Sequence, residues 1–236
     1  VVHEADLDTA VPWATMPSAT ELVWFRENLV DDGALMVGLP FVFPFFGEAQ
    51  TSVAVASNGF LSFDPDFAPS YFSPNPFGST APPNGLIAPY WNDLICTANT
   101  RIFVGAVADD DGAPAFVVQW TNISYFTNAR PDFSTLETAS FQVKLHADGR
   151  VGVRLQELPT ASAFHYYAGV GLETISGGDG ISVGEKLPKP AGEPMGFTAV
   201  PWAAPLGPIT GVLPAGDTVQ LTYKLNSDES RNGWIT

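Results

Sequence analysis

The chain is short of cations, of cysteine and of long apolar runs. Ten Lys and Arg stand against 25 Asp and Glu in 236 residues, a formal net charge of −15. A nucleic-acid binder needs a basic face, and ten scattered cations beside 25 carboxylates do not build one, so nucleic acid is excluded as a partner. No run approaches the ~18 apolar residues of a membrane span, so no transmembrane segment is expected in this chain. Cys96 is the only cysteine, which rules out an internal disulfide. No His or basic residue lies within four positions to activate it, so it reads as a small core residue. Three separated His with one Cys give no zinc spacing, and no Gly-x-Ser-x-Gly elbow occurs. The opening Val1-Val2-His3-Glu4 is too polar for a secretory leader, so a processed or excised piece is expected.

What is present is apolar and aromatic. Hydrophobic residues make up 45% and charged residues 15%, with 17 Phe and 6 Trp, which excludes a disordered chain. Helical periodicity is almost absent. Ser18 to Leu29 carries a capping-box pair, Ser18 and Glu21, but its apolar residues are consecutive, so it reads as a short helix or an edge strand.

Strand alternation is much clearer. Phe141, Val143 and Leu145 face one way, with Gln142, Lys144 and His146 opposite; Val151 to Gln156 repeats the pattern. Asp148-Gly149 between them predicts a hairpin with a type I′ turn. Residues 116–121 and 219–225 alternate too, and further strands are expected near 35–43, 52–63, 101–107, 166–173 and 196–202. With few helices for crossovers, the fold class is all-β: an antiparallel two-sheet β-sandwich, jelly-roll-like, with little helix. One domain over 1–236 is expected, with a C-terminal strand at 217–225 completing the sandwich.

Three stretches repay quotation: Leu39-Pro-Phe-Val-Phe-Pro-Phe-Phe-Gly47, Ser57-Asn-Gly-Phe-Leu-Ser-Phe63 and Ile87-Ala-Pro-Tyr-Trp-Asn-Asp-Leu94. Together they resemble a β-sandwich module of bacterial secreted and cell-surface proteins, and more distantly the nidogen (NIDO) and plexin-domain-containing ectodomain modules. Later pieces at 116–122, 141–149 and 168–180 fit the same pattern, so the family-like core covers about 36–184. The resemblance implies fold and an extracellular or cell-surface setting, with no catalytic residues to carry over. Locally, Gly47 ends a strand, Asn58-Gly59 makes a tight turn, and Pro44 and Pro89 mark strand edges or bends. Trp91 fills core, and Asp93 is expected to pin the following loop by accepting backbone N–H groups.

Candidate sites are few. A glycosidase needs two carboxyl groups ~5–9.5 Å apart in a cleft. Glu137, Glu157 and Glu173 sit at strand ends and read as solvated, so no enzyme is expected. Asp109, Asp110 and Asp111 form the densest acidic run, a hairpin turn or a weak calcium site; no other cofactor is implied. Tyr71, Phe72 and Phe77 in a Pro-rich loop, with Tyr125 and Phe126, are the ligand-binding candidates. The same rings can instead fold back to close the end of the sandwich. The expectation is a non-enzymatic interaction or adhesion module that meets a protein or glycan partner at the cell surface. A carbohydrate-binding module using the loop aromatics, or a self-assembling structural subunit forming a homo-oligomer, is the alternative.

Overall fold

The computed structural model describes residues 2–4, 12–64, 73–109, 112–126, 137–157, 168–182, 195–199, 219–222 and 232–235. Its elements in chain order are β1 (Val2–Glu4), β2 (Thr20–Glu21), α1 (Val23–Glu27), β3 (Ala34–Phe45), β4 (Glu48–Ala56), β5 (Leu61–Ser62), β6 (Leu86–Trp91) and β7 (Leu94–Ile95). There follow β8 (Arg101–Ala108), β9 (Pro114–Tyr125), β10 (Thr138–His146), β11 (Val151–Glu157), β12 (Gly169–Glu173), β13 (Gly180–Ser182), β14 (Met195–Ala199), β15 (Val219–Thr222) and β16 (Asn232–Ile235).

These strands build the expected two-sheet β-sandwich. The first sheet runs β1-β13-β12-β6-β5-β4-β3, and the second β14-β11-β10-β9-β8-β2 with β7 also on β9. Neighbours are mostly consecutive in sequence, so the jelly-roll likeness stops at the two-sheet packing. Pairing is antiparallel except between β1 and β13. The C-terminal strand appears as β15, but among the described residues it pairs with β16 alone and joins neither sheet.

Apolar residues from the two inner faces meet in one core, and they are the ones the alternation selected. Phe141, Val143 and Leu145 of β10 and Val151, Val153 and Leu155 of β11 are buried. From β3, Phe43 and Phe45 reach in against Phe63, with ring centroids 5.7 and 4.5 Å away. Trp120 stacks on Phe141 at 5.0 Å and donates its Nε1–H to the Ala56 carbonyl at 3.0 Å, a direct hydrogen bond from the second sheet to the first. Each such ring removed from water contributes roughly 1.5–3 kcal/mol.

The outer face of β10 is covered as well. Gln142, expected on a polar face, is buried because residues 12–16 cross over it: its Oε1 accepts Ala14 N–H at 2.8 Å and its Nε2 donates to Ala14 O at 2.9 Å. A primary amide reproduces the donor and acceptor of a peptide, so it pairs with the backbone like a neighbouring strand.

Two local expectations change. The expected β10–β11 hairpin forms, with Leu145 opposite Val151, but only Gly149 (φ 92) takes positive φ. Gly149 N–H returns to His146 O at 2.8 Å and His146 N–H reaches Arg150 O at 2.9 Å, the pattern of a type I turn closed by a glycine bulge rather than type I′. Residues 18–29 contain both forms considered for them: β2 pairs with β8, and α1 follows at once.

Candidate functional site

The motif residues meet at one end of the sandwich, where the segment after α1, the β4–β5 turn and the β6–β7 link come together. Ser57 N–H donates to Gly33 O at 2.8 Å, Gly33 N–H donates back to Ser57 Oγ at 3.0 Å, and Ser57 Oγ–H donates to the Asp31 carbonyl. Asn58 joins all three segments: Nδ2 donates to Asp32 Oδ1 at 2.7 Å, Oδ1 accepts Leu94 N–H at 2.9 Å, and its carbonyl accepts Asn92 N–H at 3.2 Å. Gly59 follows at φ 76, where an added Cβ would collide with the Tyr90 carbonyl, so the turn admits only glycine there. The loop is thus pinned by Asn58, with Asn92 Oδ1 accepting Asp93 N–H at 2.9 Å; the Asp93 contribution is its backbone carbonyl, which accepts Phe126 N–H at 3.0 Å.

Three carboxylates gather on this end: Asp31, Asp32 and Asp93. Burial raises Asp93 to about 6, and the charges of Asp31 and Asp32 push the same way. Asp31 is raised by burial and then by Asp32, and its Oδ1 is shut off from solvent without a hydrogen-bond partner. Among the described residues no cation pairs with any of the three. Arg26 of α1 and Arg101 of β8 both reach Glu21 instead, at 2.9 and 3.5 Å. Nor, among the described residues, is any group of three or more His, Cys, Asp or Glu placed to hold a metal ion. The three carboxylates are close enough to repel one another but not arranged to share one ion.

Beside them lies apolar surface. Val23 and Trp24 of α1 are 42% and 39% exposed, and Leu29 is 50% exposed. The helix closes with Val30 N–H on Phe25 O at 3.1 Å and Leu29 N–H on Arg26 O at 3.4 Å, which places Leu29 at the left-handed position (φ 48) that glycine ordinarily fills. The Trp24 ring lies against Gly33, where an added Cβ would come within 3.0 Å of it, so the apolar and acidic patches adjoin.

The aromatics singled out from the sequence are placed differently. Phe77 is 7% exposed and packs edge-on to Trp91 at 6.4 Å. Tyr125 is 5% exposed, and its hydroxyl is hydrogen-bonded to that of Tyr90. Tyr125 belongs to the core between the sheets, and Phe77 to a second apolar cluster with Phe60, Leu86, Ala88 and Trp91; neither ring faces solvent, since covering its apolar area outweighs leaving it wet. Phe126 is half-buried next to Asp93. Tyr71 and Phe72 lie outside the described residues.

The Asp109 carboxylate contacts Lys144 Nζ and His146 Nδ1, with Arg150 at 3.9 Å. Burial pushes its pKa up, but the hydrogen bonds from Lys144 and His146 outweigh that and hold it below the usual carboxylate range. A carboxylate already paired with the Lys144 ammonium and hydrogen-bonded to His146 is poorly suited to calcium, and Asp110 and Asp111 lie outside the described residues. Cys96 is fully buried and pushed up to about 12 by desolvation, as befits a core thiol.

One carboxylate expected in solvent is buried. Glu173 is 3% exposed, and its Oε1 accepts Gly78 N–H at 2.8 Å and Ser79 N–H at 3.0 Å. Burial pushes it up to about 7 against the pull of those two bonds. Sequence reading missed it because a strand-end Glu carries no local sign that a segment some 95 residues earlier will cover it. Asp31 and Asp32 had only a weak signal, an Asp-Asp-Gly turn ahead of β3.

Fold and loop end together define a two-sheet β-sandwich module in which Ser57, Asn58 and Asn92 organise one end. The NIDO-related family model matches residues 7–199, most of the chain, and the chain belongs to that family. No curated protein and no solved structure matches it.

Proposed function

We propose that the chain is a non-enzymatic extracellular interaction module of a secreted or surface protein, meeting a protein partner through the loop end. The family match over 7–199 carries this reading, since NIDO-related domains suggest an extracellular-type module. The use made of the motif residues supports it. Ser57, Asn58 and Asn92 commit their polar groups to shaping a surface, and the strongly perturbed carboxylates Asp93 and Glu173 lie in separate places. Loops are favoured over strand addition at the β3 edge, because Pro40 and Pro44 remove donors from that edge strand and proline is a usual guard against edge pairing. The test is surface biotinylation of intact cells that make the protein, followed by cross-linking. Labelling of the chain and a cross-link from the loop end are expected; a chain labelled only after lysis sinks the reading.

A further inference from the structure

The loop end combines exposed apolar side chains with carboxylates that, among the described residues, lack counter-charges. Leu29 is the telling residue. Glycine would relieve its left-handed backbone, yet the position carries a large apolar side chain held half in solvent. Trp24 of α1 lies over Gly33. Next to this patch Asp31, Asp32 and Asp93 repel one another, and Arg26 and Arg101 are held by Glu21.

Charge selects the occupant. A second copy would bring another −15 to an already acidic surface, and an anionic ligand or lipid surface meets the same repulsion. A single metal ion does not fit, because among the described residues the carboxylates are not placed to share one. A basic partner fits on both counts: its cations neutralise several carboxylates at different points, while its apolar side chains cover Trp24 and Leu29.

We propose that Val23, Trp24 and Leu29, with the Asp31, Asp32 and Asp93 carboxylates beside them, form a docking site for a protein segment in which arginine or lysine alternates with aliphatic side chains. This rests on the interaction-module reading above and names the partner's chemistry. Arginine suits it well, since a guanidinium engages carboxylates through several donors and stacks on an indole face.

The test is a ¹H–¹⁵N NMR titration of the full chain with the synthetic peptide acetyl-Leu-Arg-Leu-Arg-amide, its citrulline counterpart, and calcium chloride alone. The arginine peptide is expected to move the Trp24 indole N–H and the Gly33 and Leu94 amides, and citrulline to weaken binding at least several-fold. The pair Asp31→Asn and Asp93→Asn should weaken it roughly fivefold, the scale of two exposed charge pairs. Leu29→Gly should raise the thermal midpoint and still weaken the peptide, which a purely structural role for Leu29 does not predict. Shifts scattered over the acidic surface, equal binding of citrulline, indifference to the variants, or no binding would each overturn the proposal. So would calcium alone reproducing the same shifts, since that makes the end an ion site. Failure of the module reading is separate: a chain labelled on intact cells that ignores the peptide loses this site only, whereas a chain inaccessible on intact cells loses the module reading.

Discussion

Glu173 accepts the backbone N–H of Gly78 at 2.8 Å, so the end of β12 holds a segment 95 residues earlier in the chain. The same oxygen takes Ser79 N–H, which leaves Oε2 free to carry a proton without breaking either bond.

A pH dependence follows from the raised value of about 7. Between the ordinary glutamate range and pH 7 the folded chain keeps a proton that the unfolded chain has lost. The Glu173 contribution to stability is therefore complete below about pH 4.5 and is lost as pH rises through about 7. Glu173→Gln should be more stable than the parent at pH 8, by roughly 1–3 kcal/mol, and nearly equal to it at pH 5. Urea unfolding at the two pH values measures this; an equal difference at both would show that the carboxyl does not titrate in this range.

Asp109 predicts the opposite slope. Its pKa is lowered, so its stabilisation is present above the ordinary aspartate range and lost as pH falls through the folded value. Asp109→Asn, which leaves Lys144 and His146 without their carboxylate, should cost roughly 1–3 kcal/mol at pH 7. Because those bases already occupy the carboxylate, millimolar calcium should leave the thermal midpoint unchanged; a clear rise would restore a calcium role for the Asp109 turn.

The Trp120 indole bond to Ala56 O joins the two sheets. Trp120→Phe removes that donor and part of a buried ring, and should destabilise by roughly 2–4 kcal/mol. Chemical denaturation checks it, and a loss under 0.5 kcal/mol would mean that the sheets do not depend on this bond.

Gly59→Ala should cost roughly 2–5 kcal/mol, since it combines a left-handed backbone with a collision at the Tyr90 carbonyl. Gly112→Ala is the control, with positive φ but open space around it, and should cost only the backbone part. Equal midpoints for the two variants would show that the close approach at Gly59 is immaterial.

Much of the sandwich was legible because strand burial is written in a two-residue period. Residues 141–146 and 151–156 announced their core faces, and Asp148-Gly149 announced their hairpin. The turn class was not legible, because Asp148 remains at negative φ and the bulge at Gly149 does the closing. Pro89 concealed β6, which lies inside the first sheet. It is tolerated there because the β6–β12 register shifts between Gly169 and Gly171, opposite that stretch. In the candidate site, Asn58-Gly59 and Asp93 stood out in the sequence, whereas the gathering of Asp31 and Asp32 on Asp93 did not.

The sequence by itself determined the class of fold, the family likeness, the acidic balance and the core fate of Cys96, since each depends on composition or near-neighbour pattern. Tertiary structure decided which side chains are withdrawn from water. Phe77 and Tyr125, plausible binding rings in a linear reading, are buried in apolar clusters, and Glu173 became a buried tie to Gly78 and Ser79. Asp31, Asp32 and Asp93 became one electrostatic unit. Burial and repulsion act through space between segments far apart in the chain, 95 residues for Glu173 and Gly78, and a pattern read along the chain does not carry that distance.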